Sequence, residues 1–189
     1  LNKKLLLLFG LVLVIVSGCS GTSKFDELKT QAEAHYAVGD YVSALAVYNK
    51  ALDEKEDAEV RTESTRIKGE VERIKEVMRM YNGIKDAGTS AKNIYTPAEA
   101  VKYAQTLNKI LTEMEAFDVS SNDNPGFYIG QLVKSSDFTN AKIKTGLLEV
   151  NQSLGISGKN AYEATQELIA EMDALLTKYE LRKGFAAVQ

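Results

Sequence analysis

The sequence predicts an all-α protein: a helical bundle or short α-solenoid-like array of five to six helices, with a two-helix hairpin first. Three observations point there. Beyond Ser23 the apolar residues recur at steps of three and four, not two. Only two of the 189 residues are Pro. No alternating β-branched run bounded by turn residues marks a strand hairpin. A composition of 44% hydrophobic and 26% charged residues suits a folded chain.

The elements follow in order. A first helix from about Lys24 to Val38 ends at Gly39, a residue suited to the left-handed cap. Asp40 caps a second helix that reaches about Lys55. A long third helix covers about Asp57 to Ile84, with Val60, Ile67, Val71, Ile74, Met78 and Tyr81 as its stripe. Gly88, Ser90 and Asn93 mark the loop after it. Thr96-Pro97-Ala98-Glu99 opens the fourth helix with a capping box and an N-terminal Pro; its apolar face is Val101, Ala104, Leu107, Leu111, Met114 and Phe117. The stretch 118–126 reads as a turn-rich loop, and Gly126 to Gly130 reads either as a helix start or as a short extended piece. Phe138 to Leu154 is helical, with Ile143, Leu147, Val150 and Leu154 aligned. A capping box at Asn160–Glu163 starts the last helix, expected to bury Tyr162, Leu168, Ile169, Met172, Leu175, Leu176 and Tyr179. Lys178, Arg182 and Lys183 complement its negative end, and the tail after Gly184 is expected to fray.

Composition excludes several function classes. One Cys, one His and no Trp leave no disulfide framework, no Cys-rich zinc site and little scope for His-based catalysis. With Lys3 and Lys4 set aside in the leader, 21 basic and 26 acidic residues remain, a net of −5. That charge supplies no clustered basic surface for nucleic acid.

The N-terminus carries the most specific signal. Asn2-Lys3-Lys4 precedes an apolar run from Leu5 to Val16, interrupted only by Gly10. As a helix it would span about 18 Å, against the ~30 Å of a bilayer core, so it reads as a signal-peptide core. Val16-Ser17-Gly18-Cys19 follows and resembles the lipobox of bacterial lipoproteins. The resemblance implies cleavage between Gly18 and Cys19 and a diacylglyceryl group on the Cys19 sulfur. Two acyl chains hold a protein stably at a membrane. Three segments are thus expected: a signal peptide at 1–18, a lipidated tether at 19–23 and one helical domain at 24–184. The loop at 86–96 is the candidate sub-boundary. The implied location is the extracytoplasmic face of the cell membrane. In a two-membrane cell, Ser20 resembles the residue found in lipoproteins sent to the outer membrane.

A second resemblance covers about Phe25 to Ala58. His35-Tyr36, Gly39-Asp40-Tyr41, Ala44, Tyr48, Ala51 and Leu52 resemble one tetratricopeptide repeat, with Ala32, Ala44 and Ala51 at positions of close helix approach. Leu28, Gln31 and Glu56 depart from that pattern, and no second copy follows. The repeat's first helix lines a concave face in that family. The resemblance therefore implies partner contact through Asp26, Lys29, Glu33, Tyr36 and Ala37.

Catalytic and metal signals are faint. His35 lies among Leu28, Ala32 and Tyr36, where a packed role competes with a ligand or base role. Glu54, Glu56, Asp57, Glu59 and Glu63 read as a solvated acidic turn. Two Glu-x-x-His pairs, needed for a carboxylate-bridged di-iron site, are missing. Asp118, Ser120, Asn122 and Asp123 supply loop oxygens, but Asp123 and Ile129 stand where a calcium loop needs Gly and Glu. Tyr95 and the Phe127-Tyr128 pair are the candidate exposed aromatics. No catalytic residue, metal site or cofactor is expected besides the lipid on Cys19. The sequence thus points to a membrane-anchored, non-catalytic binding or scaffolding module for a protein partner in the cell envelope. The alternative is a module binding a small ligand or cell-wall glycan.

Overall fold

A computed structural model describes residues 23–117, 126–156 and 160–189. The leader, Cys19, the turn-rich stretch at 118–125 and the side chains of Phe127 and Tyr128 lie outside the described residues. Seven α-helices and no strand occur among the described residues: α1 (Lys24–Ala37), α2 (Tyr41–Glu54), α3 (Ala58–Ser90), α4 (Pro97–Ala116), α5 (Gly126–Val133), α6 (Ser136–Ser153) and α7 (Ala161–Lys178). The all-α expectation holds. The count exceeds five to six because the ambiguous segment at 126–130 is helical.

Local chemistry sets the boundaries. Ser23 and Asp26 form a capping box at α1, and Thr96 and Glu99 form another at α4. Gly39 takes φ +80 and lets its N–H reach the Tyr36 carbonyl at 2.9 Å, closing α1. Asp40 then accepts from the Ser43 N–H at 3.1 Å and opens α2.

α3 is the spine. Its 33 residues make a rod of about 50 Å, and it runs six residues past the expected end at Ile84. Gly83 and Gly88 do not terminate it because they are contact points. A Cβ on Gly83 would lie 3.1 Å from Ile110 Cδ1, and one on Gly88 would lie 3.4 Å from Ile169 Cγ2. Neighbouring helices need that clearance, and their packing outweighs glycine's weak helix propensity. The buried row continues through Val77, Met80 and Ile84, whereas Met78 and Tyr81 sit at its margin.

Two cores share this spine. In front, α1 and α2 pack as a hairpin on the first half of α3, around Phe25, Ala32, Ala44, Tyr48, Ala51, Val60, Ile67 and Val71. Behind, the second half of α3 joins α4, α6 and α7. Arg79 reaches Glu113, Gln105 reaches Glu149, Lys178 reaches Asp137 and Lys85 reaches Asp173. Second contacts fix the directions: Gly83 lies against Ile110, Lys142 reaches Glu115, Lys144 reaches Glu171 and Gly88 lies against Ile169, so each neighbouring pair is antiparallel and the bundle runs up-down-up-down. Leu107, Leu111, Met114, Phe138 and Met172 fill its centre, and Ile129 and Leu132 of α5 complete it. The cores part between Val71 and Ile74, inside α3.

The tail does not fray. Gly184, at φ +86, turns the chain into a 3-10 turn at Phe185–Val188. Phe185 is buried and meets Tyr81 edge-on at 5.5 Å, and Val188 touches both cores. An apolar pair spaced as Leu181 and Phe185 returns to the bundle because both side chains find buried positions there.

Candidate functional site

α6 carries two competing rows, one buried and one that forms an exposed seam. Ser135 caps the helix, its hydroxyl accepting from the Phe138 N–H at 3.2 Å. The inward row is Phe138, Ala141, Thr145, Leu148 and Gln152. Thr145 is fully buried, but its hydroxyl donates to the Ala141 carbonyl at 2.8 Å. Only a satisfied, methyl-bearing surface then faces the core. Ala141 on α6 and Ala100 and Ala104 on α4 are small, fully buried members of the same core, which suits a close approach of the two helices. The outward row is Ile143, Leu147, Val150 and Leu154, which are 56%, 52%, 53% and 65% exposed. The aligned aliphatic stripe therefore faces solvent. Hydrophobic burial favours the lesser-looking row because that row meets α4 and α7.

Further exposed apolar side chains lie at one end of the bundle. Ile156 is exposed beyond Leu154, and Tyr95 stacks on Tyr162 at 5.6 Å with planes 6° apart. Tyr95 is exposed as expected, whereas Tyr162 is 41% exposed and not part of the core. Ala161 and Thr165 take the inward positions at the start of α7 instead. Beside the seam, Thr139, Asn140, Gly146, Asn151 and Ser153 carry no charge. The nearby charges are engaged: Lys142 with Glu115, Lys144 with Glu171, and Glu149 with Gln105.

A second feature is an open groove of about 510 Å³ between the end of α3 and the start of α4. Gly83, Ala87 and Ala91 leave the space, and Asp86, Glu99, Lys102 and Thr106 bring polar groups to it. Tyr103 also lines it, and burial raises its phenol pKa well above the ordinary value. Glu99 is already committed: its carboxylate accepts from the Thr96 hydroxyl at 2.8 Å and from the Thr96 and Tyr95 N–H groups. Those bonds hold its pKa below the usual carboxylate range.

The hairpin residues are drawn into the fold. Asp26 is spent on the cap with Ser23. Lys29 Nζ donates to Glu59 of α3 at 3.0 Å, which raises the lysine pKa. Tyr36 stacks on Tyr41 at 5.2 Å, and its hydroxyl accepts from Arg66 at 3.1 Å while that guanidinium also lies over its ring. Glu33 and Ala37 remain exposed. α3 thus reaches across the face on which helical spacing places the five candidate residues, and it engages two of them, Lys29 and Tyr36. His35 is half-buried, with Nδ1 3.1 Å from Asp40.

The sequence reading missed the outward direction of the α6 stripe and the groove. The inward row was readable in principle: Phe138, Ala141, Thr145, Leu148 and Gln152 also step by threes and fours. Among the described residues no helix is long and apolar enough to cross a membrane, and no group of three or more His, Cys, Asp or Glu could hold a metal ion. Comparison of the chain with protein-family models, curated proteins and solved structures found no match.

Proposed function

We propose that this chain is an extracytoplasmic lipoprotein, anchored through a diacylglyceryl group on Cys19, whose helical body is a non-catalytic binding or scaffolding module for a protein partner. The observation that carries the binding role is the exposed seam of Ile143, Leu147, Val150 and Leu154. Four aliphatic side chains in one line on a helix form the kind of contiguous apolar surface that marks an interaction site. The lipobox pattern at Val16–Cys19 supports the anchor.

The position of the seam fits this arrangement. Lys24 pairs with Glu54, so the tether leaves the body beside the start of α3. Lys142 pairs with Glu115, and nearby Glu113 pairs with Arg79. The seam therefore begins level with Arg79, about 20 residues or roughly 30 Å along the spine. From there it runs further from the tether. With the spine upright, the seam stands clear of the lipid and open to an envelope protein.

Two experiments test the proposal. A photo-crosslinking residue at Leu147, in the full chain in its native membrane, should capture protein; capture no greater than from Ala46 on the exposed side of α2 would refute the binding role. Cys19→Ala should move the chain to the aqueous phase in detergent partitioning, and unchanged partitioning would refute the anchor. The groove beside Lys102 favours a second reading, a small ligand or glycan fragment. That reading requires measurable binding that weakens in Lys102→Ala.

A further inference from the structure

We infer that the groove between α3 and α4 binds a short peptide with both ends free, its ammonium on Asp86, its carboxylate on Lys102 and its peptide carbonyl on the Tyr103 phenol. The inference goes beyond the protein-partner reading. It deepens the small-ligand reading of the same groove, and rests on that reading.

The slot is made by small residues in line. Gly83, Ala87 and Ala91 step by four along one edge of α3 and the 3-10 turn that continues it. Ile110 fills the space over Gly83. Beyond it the two alanines leave a groove of about 510 Å³ open. Small-molecule sites occupy ~300–1,000 Å³. Ala91, Ile94 and Ile110 in its lining are themselves buried, so an apolar side chain of the ligand has an apolar wall to lie on.

The polar lining is left unengaged by the fold. Asp86, Lys102 and Tyr103 have no hydrogen-bond or ion-pair partner for their side chains among the described residues. Nearby groups differ: Lys85 is held by Asp173, Arg79 by Glu113, and Glu99 by its own helix cap. Tyr103 is only 6% exposed, and polar groups so buried are nearly always hydrogen-bonded. Burial keeps its phenol protonated, so it can donate to a carbonyl. A ligand in the groove supplies the partner that the chain does not.

The charges select a zwitterion. Asp86 and Glu99 bring two carboxylates to the lining, and Lys102 brings one ammonium. A purely anionic ligand would face a net negative wall, and a purely cationic one would leave Lys102 unmatched. A molecule with both charges complements both. The spacing selects a peptide. Asp86 is three residues past Gly83, and Lys102 is eight before Ile110 on the antiparallel helix. The two positions therefore lie on opposite walls, offset by five residues or about 7 Å along the axes. Two peptide residues, at about 3.5 Å each, match that offset. Tyr103 stands between the two levels, where the ligand's peptide group falls. A single amino acid carries both charges on one carbon and has no peptide group for the phenol.

The test is calorimetric titration of the full chain, extracted in detergent, with leucyl-leucine. Saturable binding is expected, weakened about fivefold or more in Asp86→Asn and in Lys102→Ala, and about threefold in Tyr103→Phe. Asp86 and Lys102 are exposed, so their variants should fold as the parent does. Blocked ligands assign the ends. The N-acetylated dipeptide should bind more weakly than the free one, with no further loss in Asp86→Asn; the amidated dipeptide should behave likewise toward Lys102→Ala. Dipeptide affinity unchanged in both charge variants would overturn the inference. So would the absence of binding heat up to about 10 mM dipeptide. If free leucine or diacetylchitobiose binds instead, and binding weakens in Lys102→Ala, the peptide falls while the small-ligand reading stands. If none of the three binds, both fall.

Discussion

The front hairpin and the rear bundle share one helix but are held together differently. Three of the eight buried apolar residues in front are alanines. There α1 and α2 lie close, while α1 reaches α3 through polar struts, Lys29 to Glu59 and Arg66 to Tyr36. The buried Ser64 hydroxyl donates to Asn49 at 2.9 Å, another polar link between α2 and α3. The rear is filled by Leu, Met, Ile and Phe. Burial of larger apolar side chains removes more area from water, at about 25 cal/mol per Å². The rear therefore dominates stability, and it is the region with surplus apolar surface left for binding. Tyr41 and Val188 touch both cores, so the front is braced by the rear and by the returning tail.

The largest expected effect is in the rear. Leu107→Ala and Leu148→Ala each empty a buried site and should cost about 2–5 kcal/mol in urea unfolding followed by circular dichroism. A loss under about 1 kcal/mol at both positions would break the claim that the rear dominates. In front, Ala44→Leu overfills the closest approach of α1 and α2 and should cost about 1–3 kcal/mol. Because α3 spans both cores, the Ala44 and Leu107 variants should each shift one cooperative transition. Two separate transitions by tyrosine fluorescence would show instead that the halves unfold independently.

Smaller effects sharpen the comparison. Thr96→Ala removes the α4 capping hydroxyl and should cost about 1 kcal/mol by thermal unfolding. Leu147→Ala, one residue from Leu148, should stay within about 0.5 kcal/mol of the parent in dilute solution. Equal losses at 147 and 148 would mean that the outward row is buried after all.

The last expectation concerns acid. Hydrogen-bond donors hold five carboxylates below their usual range: Ser43 acts on Asp40, Arg61 on Glu56, Arg79 on Glu76, Thr96 on Glu99 and Lys178 on Asp137. Folded values below unfolded ones give stabilisation that is complete above the unfolded carboxylate range. It is lost as pH falls through the folded values. The melting temperature should thus hold from about pH 7 to 5 and drop below about pH 4. These groups are exposed, so each contributes little alone. A melting temperature unchanged down to pH 3 would show that the donors do not act.

Much of the fold was legible because its signals are local. Caps at Asp40, Thr96 and Asn160 fix helix starts through hydrogen bonds spanning three residues. Gly39 closes α1 by a backbone angle that most residues avoid. The candidate sites were less legible. Helical spacing put Lys29 and Tyr36 on one side of α1, but no spacing rule says that Glu59 and Arg66, each thirty residues away, extend across it.

The sequence by itself determined that the chain is helical, where most helices begin, and that α6 carries an aliphatic line at coiled-coil spacing. Only the tertiary structure decided which way that line faces. Two rows on α6 share the same periodicity, and periodicity reports a face without naming its neighbour. The inward row won because Ala141 and the self-satisfied Thr145 fit close helix packing, while Phe138 and Leu148 supply the buried bulk. The same dependence on neighbours kept Gly83 and Gly88 inside α3 and drew Phe185 back to Tyr81. Burial is a relation between segments distant in the chain, so it is settled only when they pack.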